Sequence, residues 1–198
     1  MRSRFPAAPR GFSLVELLVV ISIVGLLAGL SAVGIPKAMD AAKKTKAKGD
    51  LTAIVSAVKA YRQEYGKYPV QASKMDQASD EFNSWYGPPT TVDDAKTLMR
   101  ILSGDSSVKY KGDNDVLNPK GVRFLEGPKT DGTFQDPWGN QYSVKMDTNE
   151  SGGLEYYGTG NQENIRVTVI AVSLGKNKAQ EDPDKKTTKT CDDVFSWR

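Results

Sequence analysis

An uninterrupted apolar segment near the start of the chain places the strongest limit on how this protein can fold. From Phe12 to Ile35 there are 24 residues, and Glu16 is the only one that carries a charge. As a helix, the segment is about 36 Å long, enough to cross a hydrocarbon layer of about 30 Å with some tilt. Surface helices of soluble proteins carry a polar stripe, and this segment has none. The pattern therefore predicts a transmembrane helix over residues 12–35.

Glu16 is the fifth residue of this segment, where a lone charge is costly. A carboxylate within a bilayer costs on the order of 3 kcal/mol, so such groups usually have a partner. No lysine or arginine lies within one helical turn of Glu16. Two interpretations stay open. Either the side chain reaches back to the membrane interface, or it pairs with a cation that arises only after processing.

The first 11 residues contain three arginines and no acidic residue, and they end in Gly11. Secretory signal peptides are cut after their apolar region, whereas the only well-formed small-residue junction here precedes it. Cleavage after Gly11 would give Phe12 a new α-amine, which is protonated at neutral pH because its ordinary pKa is about 7.7–8.0. That amine, on the same chain or on a neighbouring one, would supply the cation that Glu16 needs.

This N-terminal sequence resembles the class III signal of the type IV pilin and type II secretion pseudopilin family. The resemblance is carried by Gly11, the run Phe-Ser-Leu-Val-Glu that follows it, and the apolar residues beyond. It implies that a prepilin peptidase cuts after Gly11 and methylates the Phe12 amine. It also implies that Glu16 pairs with the N-terminus of a neighbouring subunit during assembly. Pro36 lies three residues later than the family's usual helix-kinking proline, so the position of any kink stays open.

The composition favours one membrane helix followed by one globular domain. The net charge of +3 comes from the leader, because removing Arg2, Arg4 and Arg10 leaves 24 basic residues against 24 acidic ones. A neutral mature chain gives no reason to expect nucleic-acid binding. The absence of histidine removes the most common general base and zinc ligand. The single cysteine, Cys191, cannot form an internal disulfide, which favours the pseudopilins over those pilins that close a C-terminal loop with a cysteine pair.

Beyond Pro36 the sequence changes from uniformly apolar to amphipathic. Apolar residues recur at steps of three and four from Leu51 to Tyr65, which predicts that the helix continues and stops at Gly66. Lysines between residues 37 and 48 form either a solvated face or a contact for anionic lipid headgroups.

The remainder predicts an α+β fold, with a long helix packed on a small antiparallel sheet in the manner of pilins. The insertion is predicted to be a loop from Val70 to Pro89 and over 105–120. Between these loops, a short helix is predicted that begins at a Thr91–Asp94 capping box, has apolar residues from Val92 to Leu102 and ends at Gly104. Strand patterns occur at Val122–Glu126, Gln141–Met146, Leu154–Tyr157 and Ile165–Leu174. The predicted segments are a leader (1–11), a transmembrane and polymerisation helix (12–35), its amphipathic continuation (36–69), a loop-rich insertion with a short helix (70–120), and a sheet with a C-terminal loop (121–198).

A tight turn is predicted within Asp-Pro-Trp-Gly-Asn-Gln-Tyr, residues 136–142. Pro137 presets φ, Gly139 permits positive φ, and Asp136 can accept hydrogen bonds from nearby backbone N–H groups. Trp138 is expected to pack on an apolar surface. Taken with the N-terminal signal, this motif resembles the major pseudopilins of type II secretion.

The C-terminal segment resembles the calcium loop of those pseudopilins, through Ser-Leu-Gly at 173–175 and the acidic pair before Val194-Phe195. Calcium takes six to eight oxygen ligands from carboxylates and carbonyls. The resemblance implies ligands from Leu174, Asn177, Asp182, Asp192 and Asp193. Five lysines lie in the same loop, so a solvated loop in which Trp197 docks on the sheet stays open as the alternative.

The resemblance implies a structural subunit of a type II secretion pseudopilus and not an enzyme. Its expected partners are the prepilin peptidase, copies of itself and other pseudopilins, the inner-membrane assembly platform and membrane lipid. The lysines after the helix would place the C-terminal part in the cytoplasm by the positive-inside rule. Processing of the leader on the cytoplasmic side instead predicts a single-pass inner-membrane protein with a periplasmic domain. A type IV pilin, a competence pseudopilin and a signal-anchored periplasmic binding protein are the alternatives.

Overall fold

Helix α1 (Leu14–Tyr65) is the longest element, with 52 residues, and Pro36 lies inside it. It confirms the predicted continuous helix and ends at the predicted residue, immediately before Gly66. The structure is a computed structural model that describes residues 11–70, 84–86, 92–109, 116–148, 150, 152–157, 162–179 and 192–198. The chain forms two units, residues 1–42 and residues 43–198.

In the first unit, the large apolar side chains of α1 are exposed to the surroundings on all faces of the helix. Two serines within this stretch satisfy their hydroxyl groups locally. Ser22 Oγ donates to the Leu18 carbonyl at 2.7 Å, and Ser31 Oγ donates to the Leu27 carbonyl at 2.8 Å. A helix without a polar face, whose hydroxyls bond within it, is suited to a lipid environment. Within the described part of the chain, α1 is the one helix long and apolar enough to cross a membrane.

The second unit combines the C-terminal part of α1 with a short helix and two small sheets. Helix α2 spans Val92–Leu102, as predicted. The main sheet is antiparallel and has the order β1-β2-β5-β6. Its strands are β1 (Ser84–Tyr86), β2 (Ser143–Met146), β5 (Val169–Ser173) and β6 (Val194–Phe195). An antiparallel pair is formed by β3 (Leu154–Tyr157) and β4 (Gln162–Ile165). This arrangement confirms the α+β class.

Strand β5 is buried on both faces, which explains its uniformly apolar sequence. Val169 and Ala171 belong to the main core, where they join α1 and α2, whereas Ile170 and Val172 belong to a second cluster on the opposite face. The main core contains the largest buried side chains of both helices, among them Leu51, Ile54, Tyr61, Leu98, Met99 and Leu102. The predicted insertion therefore contributes to the core through α2.

Asn118 links the two helices to the chain that follows α2. Its side chain is fully buried, and its Nδ2 atom donates to the carbonyls of Ile101 and Val122, each at 2.8 Å. Its Oδ1 atom accepts from Tyr65 Oη at 2.6 Å and from the Val122 N–H at 3.1 Å. All the hydrogen-bonding capacity of this amide is used, as a buried polar group requires.

The predicted strand at Val122–Glu126 is wrong. This segment is not a strand in the structure, because the N–H groups of Phe124 and Leu125 both donate to the Leu102 carbonyl, at 2.8 and 3.0 Å. The end of α2 thus takes the backbone donors that a neighbouring strand would otherwise use.

Three other boundaries differ from the prediction. The polar segment predicted as a loop contains β1, which pairs with β2 at one edge of the sheet. The strand predicted from Gln141 begins at Ser143. The long strand predicted over 165–174 is interrupted, because Ile165 ends β4 and β5 begins only at Val169. Between them the Val167 N–H donates to the Ile165 carbonyl at 2.8 Å, which forms a tight turn. Thr91 of the predicted capping box lies outside the described residues.

Candidate functional site

The Gly11–Phe12 peptide lies in the exposed segment that precedes α1. Phe12 is 75% exposed, and a Cβ atom added at Gly11 would have no neighbour within 4 Å. The described chain therefore places no steric demand for glycine at this position. A requirement for glycine here would have to come from something that binds this segment, such as a peptidase.

Glu16 lies in the first turn of α1 and is exposed. A carboxylate at this position is favoured by the partial positive charge of the helix N-terminus. The residues around it on the helix are apolar and exposed, so this part of the surface combines one acidic group with an apolar face. Such a surface can bind a cation and an apolar helix at the same time.

The structure brings the two halves of the predicted calcium loop together. Asp192 Oδ2 accepts hydrogen bonds from the N–H groups of Lys176, at 2.6 Å, and Asn177, at 3.0 Å. Gly175 has a φ of +62°, and a Cβ atom there would lie 2.5 Å from the Asp192 carbonyl oxygen. Only glycine permits this approach between the turn after β5 and the acidic pair.

Four of the five predicted metal ligands can be placed. Leu174 and Asn177 lie in the turn that contacts Asp192, and Asp193 follows as a buried carboxylate that is 8% exposed. Asp182 lies outside the described residues. Within the described ranges, no group of three or more acidic, cysteine or histidine side chains converges. Two carboxylates beside backbone carbonyls are nevertheless the oxygen donors that calcium prefers, so the residues present fit a calcium ion in chemical type.

The predicted turn at 136–140 is present, with Gly139 at a φ of +89°. Asp136 Oδ1 accepts from the N–H groups of Trp138 and Asn140, at 2.9 and 2.8 Å, as predicted. Trp138 is only half-buried.

The second oxygen of Asp136 makes contacts that the sequence did not predict. It accepts from Asn140 Nδ2 at 3.0 Å and from the hydroxyl of Ser173 at 2.6 Å.

Asn140 extends this network to the candidate calcium loop, since its Nδ2 atom also donates to the Gly175 carbonyl at 2.5 Å. Sequence reasoning treated the turn and the loop as separate motifs. The sequence signal that could have linked the two motifs is that each contains a polar residue next to apolar ones. Asp136 is an acceptor and Ser173 is a donor, and each needs a hydrogen-bond partner when it is buried.

Lys48 of α1 holds the C-terminal segment from the other side. Its Nζ atom donates to the Phe195 carbonyl at 2.6 Å and also to the Arg198 carbonyl. Partial burial lowers the pKa of this amine. Lys48 was predicted only as one member of a lysine cluster, and here it binds protein carbonyls next to the acidic pair.

Comparison with known proteins supports the interpretation of the N-terminal segment and identifies relatives of most of the chain. The family model of the prokaryotic N-terminal methylation motif matches residues 7–32. The type II secretion system core protein G of Pseudomonas aeruginosa is 42% identical over 76% of this chain and 82% of its own length. The corresponding protein of Klebsiella michiganensis is 38% identical over the same shares.

A shorter match joins the chain to the type IV major pilin protein PilA of Myxococcus xanthus, at 32% identity over 42% of this chain and 38% of the pilin. No solved structure matches the chain. The similarity to the core G proteins covers about three quarters of this chain, whereas the similarity to the pilin covers less than half of either protein. The chain therefore belongs to the type II secretion core protein G family of pseudopilins.

Proposed function

We propose that a prepilin peptidase cleaves this pseudopilin after Gly11 and methylates the Phe12 amine. The observation that carries the proposal is an exposed Gly–Phe pair followed by an apolar helix with one acidic residue. Nothing in the described structure requires glycine at position 11, so the residue is explained by the peptidase. The match to the methylation motif over residues 7–32 supports the same processing step.

The processed chain assembles through α1 with its own copies and with other pseudopilins. The resulting fibre drives protein export across the outer membrane. The carboxylate of Glu16 is costly in lipid when it is alone, and it becomes tolerable beside the protonated amine of a neighbouring subunit. The exposed apolar surface of α1 contacts membrane lipid before assembly and other subunits after it. The subunit acts by binding and not by catalysis, with the inner-membrane assembly platform as a further partner.

The protein spans the inner membrane once, with the leader in the cytoplasm and residues 43–198 in the periplasm. Cytoplasmic processing of the leader determines this orientation.

Calcium is proposed to bind between the turn after β5 and the acidic pair. The Leu174 and Asn177 carbonyls, with the carboxylates of Asp182, Asp192 and Asp193, would hold the ion. When bound, it would neutralise the acidic pair and join the C-terminal segment to the sheet. The contact between Asp192 and the N–H groups of the turn supports this site.

A type IV pilin is the second candidate, and the match to the Myxococcus xanthus pilin favours it. That match covers 42% of this chain, against 76% for the core G proteins. We therefore prefer a role in the type II secretion fibre to a role as a type IV pilin.

The intact mass of the protein extracted from membranes tests the processing step. The wild type is expected to begin at Phe12 and to carry one additional methyl group. Gly11→Val should keep the leader, because a branched side chain would occupy the peptidase site. Gly49→Val is the matched control, since a Cβ at this exposed helix position also has no neighbour within 4 Å. A mature N-terminus at any residue other than Phe12 contradicts the proposal.

A further inference from the structure

Two consecutive peptide groups in the turn after β5 have their orientations fixed by other parts of the chain. In the second of them, the Gly175 carbonyl accepts from Asn140 Nδ2 at 2.5 Å, and the N–H of Lys176 donates to Asp192 Oδ2 at 2.6 Å. The C=O and N–H of a planar trans peptide point in opposite directions. Asn140 and Asp192 therefore hold one peptide group between them, and the bond to Asn140 directs the N–H toward Asp192.

The first of the two peptide groups joins Leu174 to Gly175. Its N–H donates to Ser173 Oγ at 3.3 Å, which turns the Leu174 carbonyl to the opposite side. Ser173 is itself fixed, because its hydroxyl donates to Asp136 Oδ2 at 2.6 Å. The same oxygen accepts from Asn140 Nδ2 at 3.0 Å. One carboxylate oxygen thus orients both side chains that set these two peptide groups.

The side chains of this hydrogen-bond network are buried, so their orientations are fixed. Asp136, Asn140 and Ser173 are 5%, 9% and 0% exposed, so water does not compete effectively for their hydrogen bonds. The other oxygen of Asp136 accepts two backbone N–H groups of its own turn. The carboxylate therefore cannot rotate without breaking several buried hydrogen bonds at once.

We infer that Asp136, Asn140 and Ser173 are positioning residues for the calcium site. They orient the Leu174 carbonyl and the Gly175–Lys176 peptide group that binds Asp192. This inference rests on the calcium site proposed above. The Asp-Pro-Trp-Gly-Asn turn then has a role in binding as well as in folding. Groups that orient metal ligands commonly change metal affinity about 10- to 100-fold when they are removed.

The test measures calcium binding by titration calorimetry on the full-length protein in detergent micelles, with calcium alone as the ligand. Asn140→Ala and Ser173→Ala should each weaken calcium binding about 10- to 100-fold. Tyr142→Phe is the matched control from the same motif, because its hydroxyl bonds to Asp50 of α1 and not to the loop. It should lower the melting temperature in chelator and leave the calcium Kd unchanged.

The possible outcomes separate the two proposals. Wild-type affinity in Asn140→Ala and Ser173→Ala, with only a lower melting temperature, would overturn the positioning role and leave the calcium site intact. A wild-type protein that does not bind calcium would overturn both. Ser173→Ala removes a single oxygen atom, so it decides the question if Asn140→Ala does not fold.

Discussion

The hydroxyl of Tyr142 donates a 2.7 Å hydrogen bond to the carboxylate of Asp50, which joins the sheet to α1. Tyr142 is fully buried, and its ring packs on Phe134 with centroids 5.3 Å apart. Burial, together with the neighbouring Asp50 carboxylate, raises the pKa of the Tyr142 hydroxyl well above its ordinary value. The folded protein therefore keeps this hydroxyl protonated at pH values where the unfolded chain would ionise it.

This shift predicts a loss of stability at alkaline pH. The raised pKa means that the contribution of Tyr142 is complete below about pH 10, the ordinary tyrosine value. Above that pH the unfolded chain releases the proton first, and the free energy of unfolding falls by about 1.4 kcal/mol per pH unit until the folded state also ionises.

The comparison of wild type with Tyr142→Phe isolates this group from the other tyrosines. The variant should be less stable at neutral pH by about 1 to 3 kcal/mol, because the partly buried Asp50 carboxylate loses a donor. The difference between the two proteins should shrink from about pH 10 upward. Near-UV circular dichroism melts at several pH values measure it. A difference that is constant with pH would show that Tyr142 ionises normally in the folded protein.

Asn118 is predicted to tolerate the loss of its amide nitrogen poorly. Asn118→Asp would place a carboxylate oxygen against the carbonyls of Ile101 and Val122, which now accept from Nδ2. We expect a loss of about 3 kcal/mol or more at neutral pH, partly recovered in acid when the new carboxyl becomes a donor. Thermal melting at both pH values measures the effect.

Tyr65→Phe is the control for Asn118→Asp, since it removes only one donor to the Asn118 side chain. It should cost about 1 kcal/mol without a comparable dependence on pH. Equal losses of stability in the two variants would contradict the view that the hydrogen bonds of Asn118 Nδ2 contribute more stability than the bond from Tyr65.

Glu16→Ala is expected to affect assembly and not folding. The variant removes a charge from the apolar segment, so it should insert at least as well as wild type and still be cleaved after Gly11. Cross-links between cysteines placed on neighbouring copies of α1, in a Cys191→Ser background, should disappear. Glu16→Asp, which keeps the charge, should retain more cross-linking. Normal fibres and normal export in Glu16→Ala would favour the alternative that Glu16 reaches the membrane interface.

Calcium should raise the melting temperature of the full-length protein relative to chelator, because a ligand that binds only the native state stabilises it by RT ln(1 + [L]/Kd). At a concentration of 100 Kd this amounts to about 2.7 kcal/mol. The double variant Asp192→Ala, Asp193→Ala should abolish the difference. Asp131→Ala is the control, since that exposed carboxylate accepts hydrogen bonds from Thr133 of its own turn and lies outside the candidate calcium loop. Equal melting temperatures in wild type with and without calcium would refute the site.

Local sequence signals predicted the helices well and the strands less well. The stop of α1 before Gly66 and the span of α2 follow from periodicity and neighbouring glycines, which act over a few residues. A strand exists only if another segment pairs with it, and that information is not local. The segment at 122–126 has a strand-like sequence, yet no strand among the described residues pairs with it, since the Leu102 carbonyl binds two of its N–H groups. Ser84–Tyr86 lies in a polar region and becomes a strand by pairing with β2.

The candidate calcium site likewise has a part that local sequence predicts and a part that depends on distant residues. Its acidic pair and Ser-Leu-Gly turn were predicted by resemblance, and the structure places Asp192 against the turn. The contribution of Asn140 was not predicted, because it acts across 35 positions of sequence on a backbone carbonyl. Any asparagine or glutamine side chain could donate to a backbone carbonyl in this way, so residue type alone does not identify Asn140.

Strand β6, at one edge of the main sheet, has only two residues. An exposed strand edge is a template on which a second chain can add its own strand, and natural proteins limit this hazard by keeping edge strands short. In the fibre proposed above, many identical domains would lie at high local concentration, which is the condition that favours such pairing. The two-residue edge at β6 would therefore limit the growth of an intermolecular sheet between neighbouring domains of that fibre.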